Sequence, residues 1–166
     1  QIGWWLRKLH SIFRLPKITG YSKVALGIKD KLSNHMFKLE NKFEYGNRIN
    51  VIKGDVELLD RVSDEEYDNL LSKNIVFVEM YDSSANNLVI ECIARNTPIL
   101  INRVGGVVDY LGTDYPFYFN SLKEAVKKLK DINIIEKTTN YLKNNKEVNK
   151  KINFDYFYDG LVKIFE

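Results

Sequence analysis

The middle of this chain restricts the fold more than any other part of its sequence. Two short apolar runs, Ile75–Met80 and Ile99–Ile101, flank a segment that carries the signals of a helix start and a helix end. Polar residues up to Asn87 are typical of a start, whereas Asn96 and Pro98 are typical of an end. Short buried strands that alternate with helices form parallel sheets. The sequence therefore predicts an α/β fold with a parallel sheet flanked by helices.

The rest of the chain continues this alternation of strands and helices. Apolar runs predict further strands at Ile2–Leu6, Lys23–Gly27, Ile49–Gly54 and Tyr115–Phe119. Helices are predicted after the capping box of Ser63 and Glu66, at Ser121–Lys130, and twice within residues 132–166.

Composition excludes several classes of protein. A chain of 166 residues is one domain of ordinary hydrophobic content, and a net charge of +3 is too small to indicate nucleic-acid binding. The sequence has no phosphate-binding P-loop, no dinucleotide-binding glycine motif and no Cys/His cluster with zinc spacing. It also lacks a run of about 18 apolar residues or a secretory signal, and its single Cys92 suits a reducing compartment, so we expect a cytoplasmic protein.

The segment after Met80 is predicted to bind a phosphate. The first N–H groups of a helix lack partners within the helix, and its dipole favours an anion there. Glu91 lies about one turn into the helix, where its carboxylate could reach a ribose hydroxyl. Gly105 and Gly106 follow the next strand and permit a close backbone approach to a ligand. The residues at the start of this helix are Ser83, Ser84, Asn86 and Asn87.

The spacing of five residues resembles the donor-binding motif of GT-B-fold glycosyltransferases. In that family a helical Glu is followed by Pro after seven residues, by Gly-Gly seven and eight residues beyond the Pro, and by an acidic residue three further on. The matching residues here are Glu91, Pro98, Gly105, Gly106 and Asp109. Most of the chain then resembles the C-terminal half of such an enzyme, a Rossmann-like domain.

This resemblance implies a donor-binding domain that spans residues 1–166, with C-terminal helices at about 132–166. It implies a nucleotide-diphosphate sugar as the donor, UDP- or GDP-linked, and transfer to a hydroxyl of a glycan, lipid or protein without a metal. Family members carry the acceptor site on an N-terminal domain that this chain lacks. The chain begins at Gln1, inside a predicted strand, so we expect a fragment that binds nucleotide but transfers little sugar alone.

The resemblance also implies roles for particular loops at the carboxyl ends of the strands. A basic residue after the first strand contacts the diphosphate in the family, so Arg7 is the first choice and Lys8 its neighbour. Lys29 and Lys31 are weaker candidates, and the stretch 54–58 corresponds to the nucleobase loop. Many retaining members have a second Glu where this chain has Ser83. The catalytic residues and the stereochemical outcome therefore stay open.

Other interpretations of the same residues also stay open. Arg7 and Lys8 could form a solvated basic patch beside Trp4 and Trp5, or belong to an amphipathic segment from Trp4 to Leu15 that makes a peripheral membrane contact. Glu91 could be a surface carboxylate, and the Gly-Gly pair a plain turn. The whole domain could serve a nucleotide-sugar epimerase, or a non-catalytic module that binds a nucleotide sugar or a partner.

Overall fold

The computed structural model describes residues 1–27, 31–46, 55–84 and 86–165, which form an α/β fold. The strands in this part of the chain are β1 (Lys23–Leu26), β2 (Val56–Leu59), β3 (Val76–Val78), β4 (Ile99–Asn102) and β5 (Tyr118–Phe119). The helices are α1 (Ser11–Arg14), α2 (Lys31–Tyr45), α3 (Asp64–Lys73), α4 (Asn87–Arg95), α5 (Val107–Leu111), α6 (Leu122–Leu129), α7 (Ile132–Asn144), α8 (Lys146–Lys150) and α9 (Phe154–Phe165).

The strands form two small parallel sheets, β1-β2 and β3-β4-β5. The prediction of parallel pairing is confirmed for these strands. The first predicted strand, Ile2–Leu6, is wrong as a strand, because only Ile2 forms a bridge, parallel to Leu26. Its chain then turns away and Arg7 forms an antiparallel bridge with Met80. The amino-terminal segment thus pairs with β1 and with the residues that directly follow β3.

Two further boundaries differ from the sequence prediction. Residues 54–58 were predicted as a loop, yet Val56–Leu59 is strand β2, in parallel register with β1. The predicted strand Ile49–Gly54 lies outside the described residues. The carboxyl-terminal region from residue 132 contains three helices, not two, because Asn145 ends α7 and caps α8 with its side chain.

The core lies around the three-stranded sheet. Strands β3 and β4 are buried along most of their length, as expected for strands covered on both faces. The aromatic segment before α6 is part of this core, because Phe117 and Phe119 are fully buried and the Tyr115 hydroxyl bonds to the backbone of Ile99. Leu9, Ile12 and Leu15 are buried as well, whereas Trp5 at 65% and Leu6 at 39% of the same segment are exposed.

Helix α9 is the exception to this packing. It has no buried residue, and its aromatic side chains stay exposed, with Phe154 at 73% and Phe165 at 85%. Gly160 lies in its middle with no atom within 4 Å of the position that a Cβ would take. The helix therefore draws little stability from the rest of the described chain.

Candidate functional site

Helix α4 begins and ends as the sequence predicts. The Asn86 side chain accepts a hydrogen bond from Val89 N at 3.3 Å, and Asn96 ends the helix in the left-handed conformation at φ 55°. Asn87 and Leu88 are the first two helical residues, whose N–H groups have no acceptor inside the helix. The helix tip therefore presents partial positive charge at the carboxyl end of β3.

A pocket of about 240 Å³ lies at this tip, and we call it the helix-tip pocket. Five of the nine predicted binding residues line it, although they come from two segments far apart in sequence. Its lining residues are Trp5, Leu6, Arg7, Met80, Ser83, Ser84, Asn86, Asn87 and Leu88. The structure thus brings the predicted cation and the predicted helix tip together.

Arg7 is held in this pocket by an unusual backbone. Leu6 has φ 54°, a left-handed conformation that costs a residue with a Cβ about 1–2 kcal/mol. Arg7 Nη1 donates to Trp5 O at 3.1 Å, and its Nε is buried without a partner among the described residues. Gly3 makes room for the guanidinium, because a Cβ there would lie 2.9 Å from Arg7 Nη1. Arg7 therefore retains donor capacity for a ligand.

Electrostatics also couple Arg7 to helices α3 and α4. Burial lowers the pKa of the Arg7 guanidinium, while the nearby Tyr67 hydroxyl and Glu91 carboxylate act in the opposite direction. The residue nevertheless stays cationic at neutral pH, because arginine titrates far above it. A partly buried cation at a helix amino terminus is a strong attractor for an anion.

Lys8, in contrast, does not face the helix-tip pocket. Its Nζ lies 3.1 Å from Glu79 Oε1 and 5.4 Å from the centre of the Tyr81 ring. Backbone pairing enforces this difference, since Lys8 N donates to Glu79 O at 2.7 Å. Neighbouring side chains of an extended segment point to opposite sides, so Arg7 and Lys8 cannot both serve the pocket.

Of the polar residues at the start of α4, some hold the backbone in place and others are exposed to a ligand. Ser83 is buried, its N–H donates to Asp82 Oδ1 at 2.8 Å, and its Oγ accepts from Asn86 Nδ2 at 3.3 Å. Asn86 is buried and caps the helix. Ser84 and Asn87 are exposed and line the pocket, so their side chains can meet a ligand.

Gly105 and Gly106 approach another loop of the same chain. Gly106 N donates to Ser83 O at 2.6 Å, and a Cβ on Gly106 would lie 2.6 Å from Ser84 O. A Cβ on Gly105 would collide with Ser83 O. The close approach that these glycines permit is therefore to the backbone before α4, which they hold in place. Asp109 follows in α5, within the helix and not at its cap.

Glu91 lies on α4, half-buried, where it meets Tyr67 of α3. The Tyr67 hydroxyl donates to Glu91 Oε2 at 2.6 Å, and Oε1 accepts no hydrogen bond from the described residues. Burial, and next the bond to Glu91, raise the pKa of Tyr67 well above its usual range, so Tyr67 remains a donor. Glu91 is thus oriented by a neighbour and keeps one oxygen for a ligand.

A second pocket of about 560 Å³, the sheet-edge pocket, lies where β1 and β2 end. Tyr67 lines this pocket, and its hydroxyl bonds to Glu91. The other lining residues are Leu26, Gly27, Leu59, Asp60, Arg61, Val62 and Asp64. The loop after β2 is therefore Asp60–Val62, and it replaces the stretch 54–58 that the sequence predicted for this place. Of the weaker basic candidates, Lys31 begins α2 and lines a separate pocket, whereas Lys29 lies outside the described residues.

Sequence reasoning missed three residues that shape the site. Tyr67 lies in the helix predicted after Ser63, but its sequence position alone does not show which group its hydroxyl contacts, although a buried tyrosine hydroxyl needs a partner. Asn102 at the end of β4 bonds to both the N–H and the carbonyl of Met80, at 2.7 and 2.9 Å, and so fixes the end of β3. No local signal indicates the left-handed Leu6.

The described residues contain no group of three or more His, Cys, Asp or Glu side chains that could hold a metal ion. Within the same residues, no helix is both long and apolar enough to span a bilayer. No protein-family model matches the chain, and no curated protein matches it at a significant level. Any functional conclusion must therefore come from the site itself.

Proposed function

We propose that this chain is the donor-binding domain of a glycosyltransferase that uses a nucleotide-diphosphate sugar. The observation that carries the proposal is the helix-tip pocket. Arg7 and the start of α4 were selected from sequence as parts of one phosphate site, and they line the same pocket. Arg7 uses one nitrogen of its guanidinium for Trp5 O, and a guanidinium that shares a pocket with a helix amino terminus is suited to a diphosphate.

The neighbouring residues support a nucleoside next to the diphosphate. Glu91 lies one turn along α4 and keeps a carboxylate oxygen for a ribose hydroxyl. The sheet-edge pocket, reached across Tyr67, has space for a base between apolar side chains and the loop after β2. Ligands of parallel α/β folds bind at the carboxyl ends of the strands, and both pockets lie there.

The role of this domain in transfer would be electrostatic. When the sugar leaves, negative charge grows on the diphosphate, and Arg7 together with the first N–H groups of α4 would stabilise it. These groups are in place before the reaction, so no reorganisation is required. The acceptor hydroxyl and a general base would come from another domain, as the GT-B resemblance implies, and this chain alone would transfer little sugar.

Calorimetric titration with UDP, GDP and dTDP and their sugars tests the proposal. We expect one of these to bind, and Arg7→Gln to weaken its binding about tenfold or more, the loss expected for a hydrogen bond to a charged group. Lys8→Gln is the matched control, and it should change the affinity less than about twofold because Lys8 is paired with Glu79. A folded protein that binds no nucleotide would refute the proposal.

One observation favours a second candidate, a non-catalytic module that binds a nucleotide sugar. Many retaining enzymes of the family carry a Glu at the position of Ser83, where it contacts the donor sugar. Here the Ser83 side chain is buried and bonded to Asn86, so it offers the sugar nothing. In this case the chain would bind the free nucleoside diphosphate and the nucleotide-diphosphate sugar with equal affinity. The donor domain of a transferase should bind the two with different affinities.

A further inference from the structure

Helix α2 is attached to the rest of the protein through polar and aromatic contacts. Leu9 N and His10 N donate to the buried Glu40 carboxylate at 2.7 and 3.2 Å. The Phe37 ring stacks on the His10 ring with 3.8 Å between their centres, and Ser33 on the same side is buried. These contacts fix the orientation of the helix without using its leucines.

A second side of α2 carries an exposed row of apolar residues. Residues three and four positions apart lie on the same side of a helix, and the row extends over about 16 Å. Phe43 is 77% exposed and Leu32 is 53% exposed, whereas Leu39 is half-buried. The fold therefore leaves this side uncovered. We call the row the apolar stripe, and its residues are Leu32, Met36, Leu39 and Phe43.

A row of basic residues lies beside the apolar stripe, offset by one position and thus by about 100° around the helix. Lys42 Nζ lies 5.5 Å from the centre of the Phe43 ring, so the two rows meet. The acidic residues of α2 are engaged elsewhere, because Glu40 is buried and Glu44 bonds to the Tyr81 hydroxyl. We call this row the basic stripe, and its exposed residues are Lys31, His35, Lys38 and Lys42.

An anionic lipid surface is complementary to both stripes at once. Leucine, methionine and phenylalanine side chains can enter the boundary between headgroups and acyl chains. Lysine stems lie along apolar surface and keep their ammonium groups at the lipid phosphates. A protein partner fits less well, because the apolar stripe exposes well under the roughly 800 Å² that each partner contributes to a stable protein interface.

We propose that α2 is a peripheral membrane-binding helix that holds the domain on an anionic lipid surface. The apolar stripe enters the headgroup boundary, and the basic stripe contacts the lipid phosphates. None of the described residues of α2 lines the helix-tip pocket or the sheet-edge pocket, so the two binding activities are separable.

Sedimentation of the 166-residue chain with lipid vesicles tests the proposal. The chain should sediment with vesicles of equimolar phosphatidylcholine and phosphatidylglycerol and stay in solution with pure phosphatidylcholine. Lys38→Gln combined with Lys42→Gln should lower the partition coefficient about 30-fold, since each lysine near an anionic surface contributes about fivefold. Phe43→Ala should lower it about tenfold, because its ring no longer leaves water.

Lys123→Gln combined with Lys127→Gln is the matched control for charge. Both lysines are exposed on α6, whose apolar residues Leu122 and Val126 are half-buried, so this helix offers charge without an apolar stripe. The control removes the same two charges and should lower the partition coefficient by less than about twofold, because screening confines attraction to groups near the surface.

Phe165→Ala is the matched control for the apolar stripe. Phe165 is 85% exposed on α9, but Asp155 and Asp159 give that helix acidic residues, which an anionic surface repels. The variant should therefore keep the partition coefficient of the unaltered chain.

Four results would overturn the proposal. They are absence of sedimentation with either vesicle, equal sedimentation with both, unchanged partition in the two α2 variants, and losses of the same size in the controls. A dimer that dissociates in Phe43→Ala would also overturn it, since a second copy would then cover the apolar stripe. None of these results affects the proposed nucleotide binding.

Discussion

Gly105→Ala tests whether the Gly-Gly pair serves the protein's own loops. The structure gives two separate costs for the added methyl group. Gly105 has φ 42°, in the left-handed region where a residue with a Cβ loses about 1–2 kcal/mol. The Cβ would also collide with Ser83 O and lie 2.6 Å from Asp82 Oδ1, an overpacking that typically costs about 1–3 kcal/mol. We therefore expect a loss of about 2–5 kcal/mol in the free energy of unfolding.

The neighbouring loop cannot move aside without a further loss, because Gly106 N donates to Ser83 O at 2.6 Å. At about 2–4 °C per kcal/mol for a domain of this size, the expected fall in Tm is roughly 4–20 °C. Gly106→Ala should cost less than Gly105→Ala, since Gly106 has φ −66° and only the steric cost applies.

Gly160→Ala is the internal control for these variants. Gly160 lies in the middle of α9 with open space around its Cβ position, so alanine should be neutral or stabilise by up to about 1 kcal/mol. Thermal unfolding followed by circular dichroism, without any ligand, measures all three variants. An unchanged Tm for Gly105→Ala would refute the loop contact and return the glycines to a role in ligand approach.

Three further predictions concern other parts of the chain. Ending the chain after Asn153 should change Tm by less than about 2 °C, because α9 buries no residue; a larger fall in a thermal scan would contradict its exposed position. Two hydrogen bonds from Ser63 lower the pKa of Glu66 below its usual value of 4.5. The ionised carboxylate therefore stabilises the fold at a pH above 4.5, and this stabilisation is lost as the pH falls through the lowered pKa. Glu66→Gln should therefore have a lower Tm than the unaltered chain at pH 7, and this difference should shrink as the pH is lowered below 4.5; a difference that stays constant would be inconsistent with the capping box. Burial raises the pKa of the Cys92 thiol, so a thiol reagent at pH 8 should label it only after unfolding, and rapid labelling of the native chain would contradict its burial.

Local rules predict the parts of the structure that depend on short-range contacts. The ends of α3 and α4 were predictable from Ser63, Asn86 and Asn96, because each cap is formed by residues within four positions of one another. The strand at Val56–Leu59 was missed because a stretch of Val, Glu and Leu with little burial has no clear period. Its strand character comes from pairing with β1, a contact that sequence alone does not reveal.

Helix α2 was missed for a different reason. It buries the polar residues Ser33 and Glu40 and exposes Leu32 and Phe43, which is the reverse of the usual pattern. Glu40 is buried because its carboxylate accepts hydrogen bonds from Leu9 N and His10 N. Such a role across the fold leaves no periodic signal in the helix.

For the candidate site, the sequence predicted which segments lie together, but it did not predict which partner each side chain contacts. Arg7 was preferred to Lys8 only because of the resemblance, and the different surroundings of the two side chains follow from the bridge between Arg7 and Met80. Glu91 was predicted as a ligand contact, but its partner Tyr67 comes from a helix 24 positions earlier in the chain. Long-range pairs of this kind depend on the packing of helices, which composition and spacing do not encode.

Because of the turn at Leu6, the anion site depends on the length of the segment that carries Arg7 as much as on Arg7 itself. Leu6 O accepts from Tyr81 N and Lys8 N donates to Glu79 O, so the register of this segment is locked on both sides of Arg7. A slip of this segment by one residue would remove the guanidinium from the helix-tip pocket: in one direction Lys8 would take the position of Arg7, and in the other Arg7 would take the position of Lys8 against Glu79. A relative could therefore keep every charged residue of this segment and still lose the anion site through a change of one residue in spacing.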